Sequence, residues 1–199
     1  MKAWAITLAL FATSAAGSAH AADGDVGVTA AAAVAVPPNR FVWADNAGLE
    51  PVSVVVSVTD QRAYVYRGQT LIAVSSVSTG KEGKGTPAGT YPILQKKEDH
   101  KSNLYDAAPM PFMQRLTWDG IALHAGRNPG FPASHGCVRL PAAFAKKLFA
   151  ITTVGTTVTV MDEPFVPGDD WVPEPAAMPD AETATTAKAN STQLASIGR

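Results

Sequence analysis

Between Val52 and Val58 the chain alternates: Val52, Val54, Val56 and Val58 share one face of an extended segment, and Ser53, Ser57 and Thr59 lie largely on the other. That two-residue period fits a half-buried strand and no helix. Asp60-Gln61 then turns the chain. Tyr64-Val65-Tyr66 and Leu71-Ile72-Ala73-Val74 flank Arg67-Gly68-Gln69, where glycine supplies the positive φ that a tight hairpin needs. Residues 90–94 predict a short strand that Pro92 confines to an edge or a bulge. Residues 113–118 and 121–125 predict two strands around Asp119-Gly120, a strong hairpin signal, which puts His124 at the mouth end of a strand. Residues 156–160 make a last strand. Only the stretch after Pro141 has a different period: Phe144 with Leu148 and Ala145 with Phe149 recur every four residues while Lys146-Lys147 face water. The spacing predicts one helix ending near Ile151, in a fold that is mainly β.

A chain of 199 residues, 46% of them apolar, can bury one good core and carry extensions. Residues 1–21 have the layout of a signal peptide: Lys2, an apolar stretch over 3–12, then small residues ending in Ala19-His20-Ala21. That stretch is too short to span a bilayer and no later segment reaches the length, so the expectation is export to the periplasm or cell envelope, with no membrane span after cleavage. Residues 22–50, rich in Ala and Val with Pro37-Pro38, read as a linker or loosely docked N-terminal arm. Residues 51–162 form the compact domain. Residues 163–199 are a Pro/Ala/acidic tail that buries too little to offset its ordering entropy, and disorder is expected there. A formal charge of −1 offers no electrostatic footprint for nucleic acid.

The chemistry concentrates on Cys137, the single cysteine. One thiol cannot close an internal disulfide, and a leftover cysteine in an exported chain points to an intermolecular bridge or a reactive thiol. An inert, buried cysteine is the plain alternative. Against it stand Pro129, Gly130, Pro132, His135 and Gly136, which mark an ordered loop rather than a strand interior. A neighbouring imidazolium or converging amides lower a thiol pKa, and a histidine can accept the thiol proton and return it to a leaving amine. His124 is the candidate. His135 is read as a loop-shaping residue more than as the base, and Arg139 either as a surface cation or as a partner for a substrate carboxylate. Gly136 lets the main chain approach substrate, with the amides around Cys137 as oxyanion donors. No acidic residue lies near His124, leaving the Ala125 carbonyl as a candidate third member. His124, His135 and Cys137 could form an open zinc site, but neither CxxC nor HExxH accompanies them, so neither metal nor cofactor is expected. The glycine-rich segment 78–89 matches neither the P-loop nor the dinucleotide fingerprint.

Ile121-Ala122-Leu123-His124 followed by Ser134-His135-Gly136-Cys137-Val138-Arg139-Leu140 resembles the active-site signature of the L,D-transpeptidase catalytic domain family (YkuD-type). Residues 54–66, Val77-Ser78-Thr79-Gly80-Lys81 and Thr86-Pro87-Ala88-Gly89-Thr90-Tyr91 resemble it too. The resemblance implies a β-sandwich-like catalytic domain with one helix after the active-site loop. It implies an enzyme in which Cys137 attacks the third residue of a peptidoglycan stem tetrapeptide, expels D-alanine and passes the acyl group to an amine on a second stem or envelope protein. His124 then matches the proton acceptor and donor, Gly136 and Cys137 the oxyanion amides, and Ser134, His135 and Arg139 positions around the donor peptide. Carbapenem inhibitors would acylate Cys137. The interval between His124 and Ser134 is shorter than in many members, which leaves water open as the resolving nucleophile. A carboxypeptidase cutting the same bond is therefore the nearest alternative, followed by a non-catalytic wall-binding module and a general cysteine peptidase.

Overall fold

The computed structural model describes residues 27–44, 48–102 and 107–168. The expected signal segment, 1–21, and residues 169–199 of the expected tail lie outside the described residues. Two sheets carry the fold. The larger contains β1 (Phe41–Trp43), β2 (Val52–Ser57), β3 (Arg62–Arg67), β4 (Thr70–Ser76), β5 (Gly89–Pro92) and β10 (Thr157–Met161) in the order β1-β4-β3-β2-β10-β5. The smaller contains β6 (Gln95–Lys97), β7 (Met113–Arg115), β8 (Ala122–Ala125) and β9 (Val138–Leu140), in that order. The helix expected after Pro141 is α2 (Ala142–Ile151), and α1 (Ala30–Val34) is a short addition upstream.

The turn chemistry operates as its residues dictate. Gln61 turns the chain with φ of 52° and Gly68 turns the β3–β4 hairpin with φ of 57°. Pro92 sits on β5, an edge strand, where its missing amide costs no ladder bond. β10 inserts between β5 and β2, parallel to β2 with Val158 opposite Val54. The core lies between the sheets and α2: Val54, Val56, Val65 and Val158 from one sheet meet Leu123, Val138 and Leu140 from the other and Phe144 and Leu148 of α2.

β2 is buried on both faces, not half-buried as its alternation suggests: Ser53, Val55 and Ser57 are all shielded. The cover on that second face comes from the segments at either end. Val28, Ala33 and Val36 pack with Val55, Tyr64, Tyr66 and Val74. Further along the same N-terminal segment, β1 pairs antiparallel with β4, and the rings of Phe41 and Trp43 lie 5.5 and 5.6 Å from that of Phe144. The part of 22–50 that is described, expected to be a loose arm, is thus integral to the sheet. Its polar backbone pairs with the β4 edge and its apolar side chains fill both faces.

Likewise, residues 163–168, expected to be disordered, continue the packed body. The Phe165 ring packs 4.9 Å from that of Tyr64, and its amide donates to Asp60 Oδ2 at 2.8 Å. Among the described residues no helix is long and apolar enough to cross a membrane.

Candidate active site

β8 and β9 run parallel, with Leu123 opposite Val138 and His124 opposite Arg139. Extended one residue back, that register sets Cys137 across from Ala122. Residues two apart share a face of a strand, so His124 and Cys137 project to the same side. Both line one cleft of about 330 Å³, together with Ser134, His135 and Arg139. Val138–Leu140 is a strand that the sequence reading did not assign, and it holds Cys137 at the cleft that His124 also lines. The pairing expected between β7 and β8 is present, but with a six-residue connection: Leu116 and Thr117 both donate to the Ile121 carbonyl, and Gly120 has φ of 120°.

His124 is 8% exposed, and its Nδ1 lies 2.8 Å from the Ala125 carbonyl oxygen. A carbonyl only accepts, so in the neutral ring Nδ1 carries the proton and Nε2 keeps its lone pair. Burial pulls the imidazole down to about 4, with the Ala125 hydrogen bond opposing and the Arg139 charge reinforcing. The Cys137 thiol is half-buried beside Met110, Met113 and Ala122, and donates to the Gly120 carbonyl at 3.3 Å. Burial raises its pKa, outweighing the Ala122 backbone hydrogen bond and the charges of Arg139 and Arg115 that lower it. The sequence offered an imidazolium or converging amides as ways to lower the thiol pKa, with a histidine to accept its proton. Instead desolvation dominates both groups, and the resting pair is a neutral thiol and a neutral imidazole.

The loop bearing the thiol is fixed by its own polar groups. Ser134, almost fully buried, accepts from the Gly136 amide at 3.1 Å and donates to the Cys137 carbonyl at 2.5 Å. The Gly136 N–H, expected to face an oxyanion, is therefore spent inside the turn. The Cys137 N–H has no partner among the described residues. Gly136 has φ of 122°, and a Cβ there would stand 2.8 Å from Ile121 Cδ1, so both conformation and space demand glycine.

Sequence reasoning missed what holds this loop. Thr86 Oγ1 accepts from the Gly80 amide at 2.9 Å and donates to the Gly136 carbonyl at 2.7 Å. Lys81 donates to the Ser134 carbonyl, and the Ala133 and Ser134 amides both donate to the Thr79 carbonyl. The glycine-rich segment is thus the buttress of the thiol loop. No local pattern in the segment marks Thr86 as the partner of Gly136, fifty positions on. Asp119, Gly120, Arg127, Pro109 and Met110 also line the cleft. His135 is exposed at its rim, and the Arg139 stem crosses Gly126, whose Cβ position lies 3.1 Å from Arg139 Cγ.

Solved structures with this architecture include an L,D-transpeptidase from Stackebrandtia nassauensis, 30% identical with a TM-score of 0.52 over 59% of this chain and 58% of that one. An L,D-transpeptidase from Mycobacterium smegmatis is 22% identical with a TM-score of 0.51 over 55% and 58%. The LD transpeptidase LdtMt1 in complex with imipenem is 23% identical with a TM-score of 0.52 over 56% and 59%. The chain spans somewhat under three fifths of the length of each. No curated protein matches it. The model of the L,D-transpeptidase catalytic domain matches residues 51–160, more than half of the chain and all of the cleft, and the chain belongs to that family, YkuD.

Proposed function

We propose that this chain is an exported cysteine acyltransferase that takes the acyl group of a peptidoglycan stem tetrapeptide, releases D-alanine, and passes the acyl group to an amine. The reading rests above all on His124 and Cys137, which line one cleft, with His124 Nδ1 held by the Ala125 carbonyl and Nε2 left to act as base. Membership of the L,D-transpeptidase family supports the choice of substrate class.

Because both groups rest neutral, the proton leaves sulfur as the sulfur attacks. His124 Nε2 takes it while Sγ bonds to the carbonyl carbon of the third stem residue. Charge develops on the carbonyl oxygen, and the Cys137 amide is the main-chain donor available to it. His124 then returns the proton to the departing D-alanine nitrogen, leaving a thioester on Cys137. The Ala125 carbonyl fixes the tautomer and steadies the transient imidazolium. Arg139 is suited to pairing with a donor carboxylate. Ser134 and Gly136 shape the turn, and His135 borders the donor side.

The imipenem complex of a structural neighbour supports carbapenems as covalent probes of Cys137 here. Export rests on the leader-like first 21 residues and the wall as site of action. The test is to incubate mature protein with disaccharide-tetrapeptide, alone and with an amine, and to identify products by mass spectrometry. Amine-linked product with free D-alanine is expected. Tripeptide alone makes the chain a carboxypeptidase, and unchanged substrate with intact wall binding makes it a binding module.

A further inference from the structure

The cleft is electrically lopsided along β8. Ahead of the strand comes the Asp119-Gly120 turn; Arg139 of β9 lies opposite His124 within the strand, and Gly126 and Arg127 follow the strand's end. Four strand residues separate the two ends, roughly 13 Å at the rise of an extended chain. Asp119 is the only carboxylate among the described residues that line the cleft, and it has no ion pair or hydrogen bond among them. It is exposed, with the Tyr91 phenol as the titratable group near enough to feel its charge. Arg115, one strand away, lies over the Trp118 ring instead.

A lone exposed aspartate before glycine is first of all a turn residue. The next residue adds what a turn alone does not explain. The Gly120 carbonyl accepts the Cys137 S–H at 3.3 Å. Once sulfur is acylated it carries no hydrogen, and this carbonyl loses its donor beside the thioester. An incoming N–H restores the bond, and it does so within reach of the carbon to be attacked. Water can do the same, but water gains nothing from Asp119.

We propose that the Asp119-Gly120 turn is the acceptor dock of this enzyme, and that it selects a protonated primary amine over water. The proposal rests on the acyl-enzyme reading given above. The ammonium is drawn to Asp119 and releases one proton to solvent. The resulting amine donates one N–H to the Gly120 carbonyl and attacks the thioester carbon. As the C–N bond forms, His124 Nε2 takes the amine's remaining surplus proton. The C–S bond then breaks, and the proton passes to sulfur, which renews its bond to Gly120. One amide, one thiol and one solvent proton result.

The experiment compares wild type with Asp119→Asn, which keeps the turn chemistry and removes only the charge. Disaccharide-tetrapeptide serves as donor, with no added nucleophile, with glycinamide, or with hydroxylamine, which is largely uncharged at neutral pH. In the variant, the KM for glycinamide should rise about fivefold at low salt. D-alanine released in the first turnover without added nucleophile, which reports acylation before any acceptor is used, and the hydroxylamine reaction should stay within twofold, and salt should bring wild type toward the variant. An unchanged glycinamide KM, or an equal loss with both nucleophiles, overturns the dock. No D-alanine release by wild type overturns the parent reading, and the dock falls with it. The arm without nucleophile keeps the two failures apart.

Discussion

His124 Nδ1 lies 2.8 Å from the carbonyl oxygen of its own neighbour, Ala125. The contact fixes the tautomer and leaves Nε2 unprotonated, while burial keeps the ring neutral. In the unfolded chain the ring protonates near 6.5, whereas in the fold it waits until about 4. Between those values the unfolded state binds the extra proton, so stability falls as pH falls. The full effect is worth about 3 kcal/mol, present above the ordinary imidazole range and lost on approaching pH 4. Urea titrations of wild type and His124→Gln at pH 7.5 and 4.5 should show wild type losing about 2.5 kcal/mol more, most of the full effect. Equal losses would mean that the ring is solvated.

The raised thiol pKa has its own signature. Alkylation of Cys137 by iodoacetamide should be slower at pH 7 than that of a free cysteine, and should keep rising beyond the pH at which a free thiol levels off. A fast, flat profile at neutral pH would mean a preformed thiolate.

Thr86 ties the glycine-rich segment to the nucleophile loop through Gly80 and Gly136. Thr86→Val leaves a buried amide and a buried carbonyl without partners, at a cost of about 1–3 kcal/mol. Acylation by imipenem should slow in Thr86→Val and recover in Thr86→Ser, as followed by intact-protein mass. No recovery in the serine variant would assign the effect to the methyl group.

Gly136→Ala meets two obstacles, the φ of 122° and Ile121 Cδ1 at 2.8 Å. Adding Ile121→Ala removes only the second. Acylation should fall about 100-fold in the single variant, as expected for a displaced reacting atom, and should recover only in part in the double. Full recovery would show that the backbone conformation is unstrained.

Trp43→Ala removes a ring packed on Phe144 of α2. A partly buried ring lost at this interface should cost about 2–3 kcal/mol in chemical denaturation, below the range for a fully buried tryptophan. A loss under about 0.5 kcal/mol, the level of an ordinary surface change, would mean that the N-terminal segment is dispensable.

The β-rich body was legible because its signals are local. Alternation at 52–58, glycine at Gly68, proline at Pro92 and the four-residue spacing of Phe144 and Leu148 each act within a few residues. What escaped was set by distant partners. Residues 41–43 become a strand because the edge of β4 is open to them, and Phe165 docks because Tyr64 and Tyr66 offer rings. Neither fact has a local pattern. At the site, the residues that meet in the cleft could be read from the His124 and Ser134–Cys137 motifs. Their protonation could not, since it depends on burial by distant segments, as where Met110 and Met113 pack against Cys137. The Gly136 amide is a different case: its partner, the Ser134 hydroxyl, is only two residues away, a local side-chain-to-backbone bond that competes with the expected oxyanion role.

One experiment decides whether a neutral thiol, deprotonated by His124 in the act of attack, carries the acyl group. Disaccharide-tetrapeptide is mixed with wild type and with His124→Gln, quenched in acid within the first turnover, and the protein is digested and mapped by mass. Wild type should carry the acyl mass on the peptide containing Cys137, with stoichiometric D-alanine released. His124→Gln should form the same adduct about 100 to 10,000 times more slowly. An adduct on any other residue, or equal rates in the two proteins, would contradict the account.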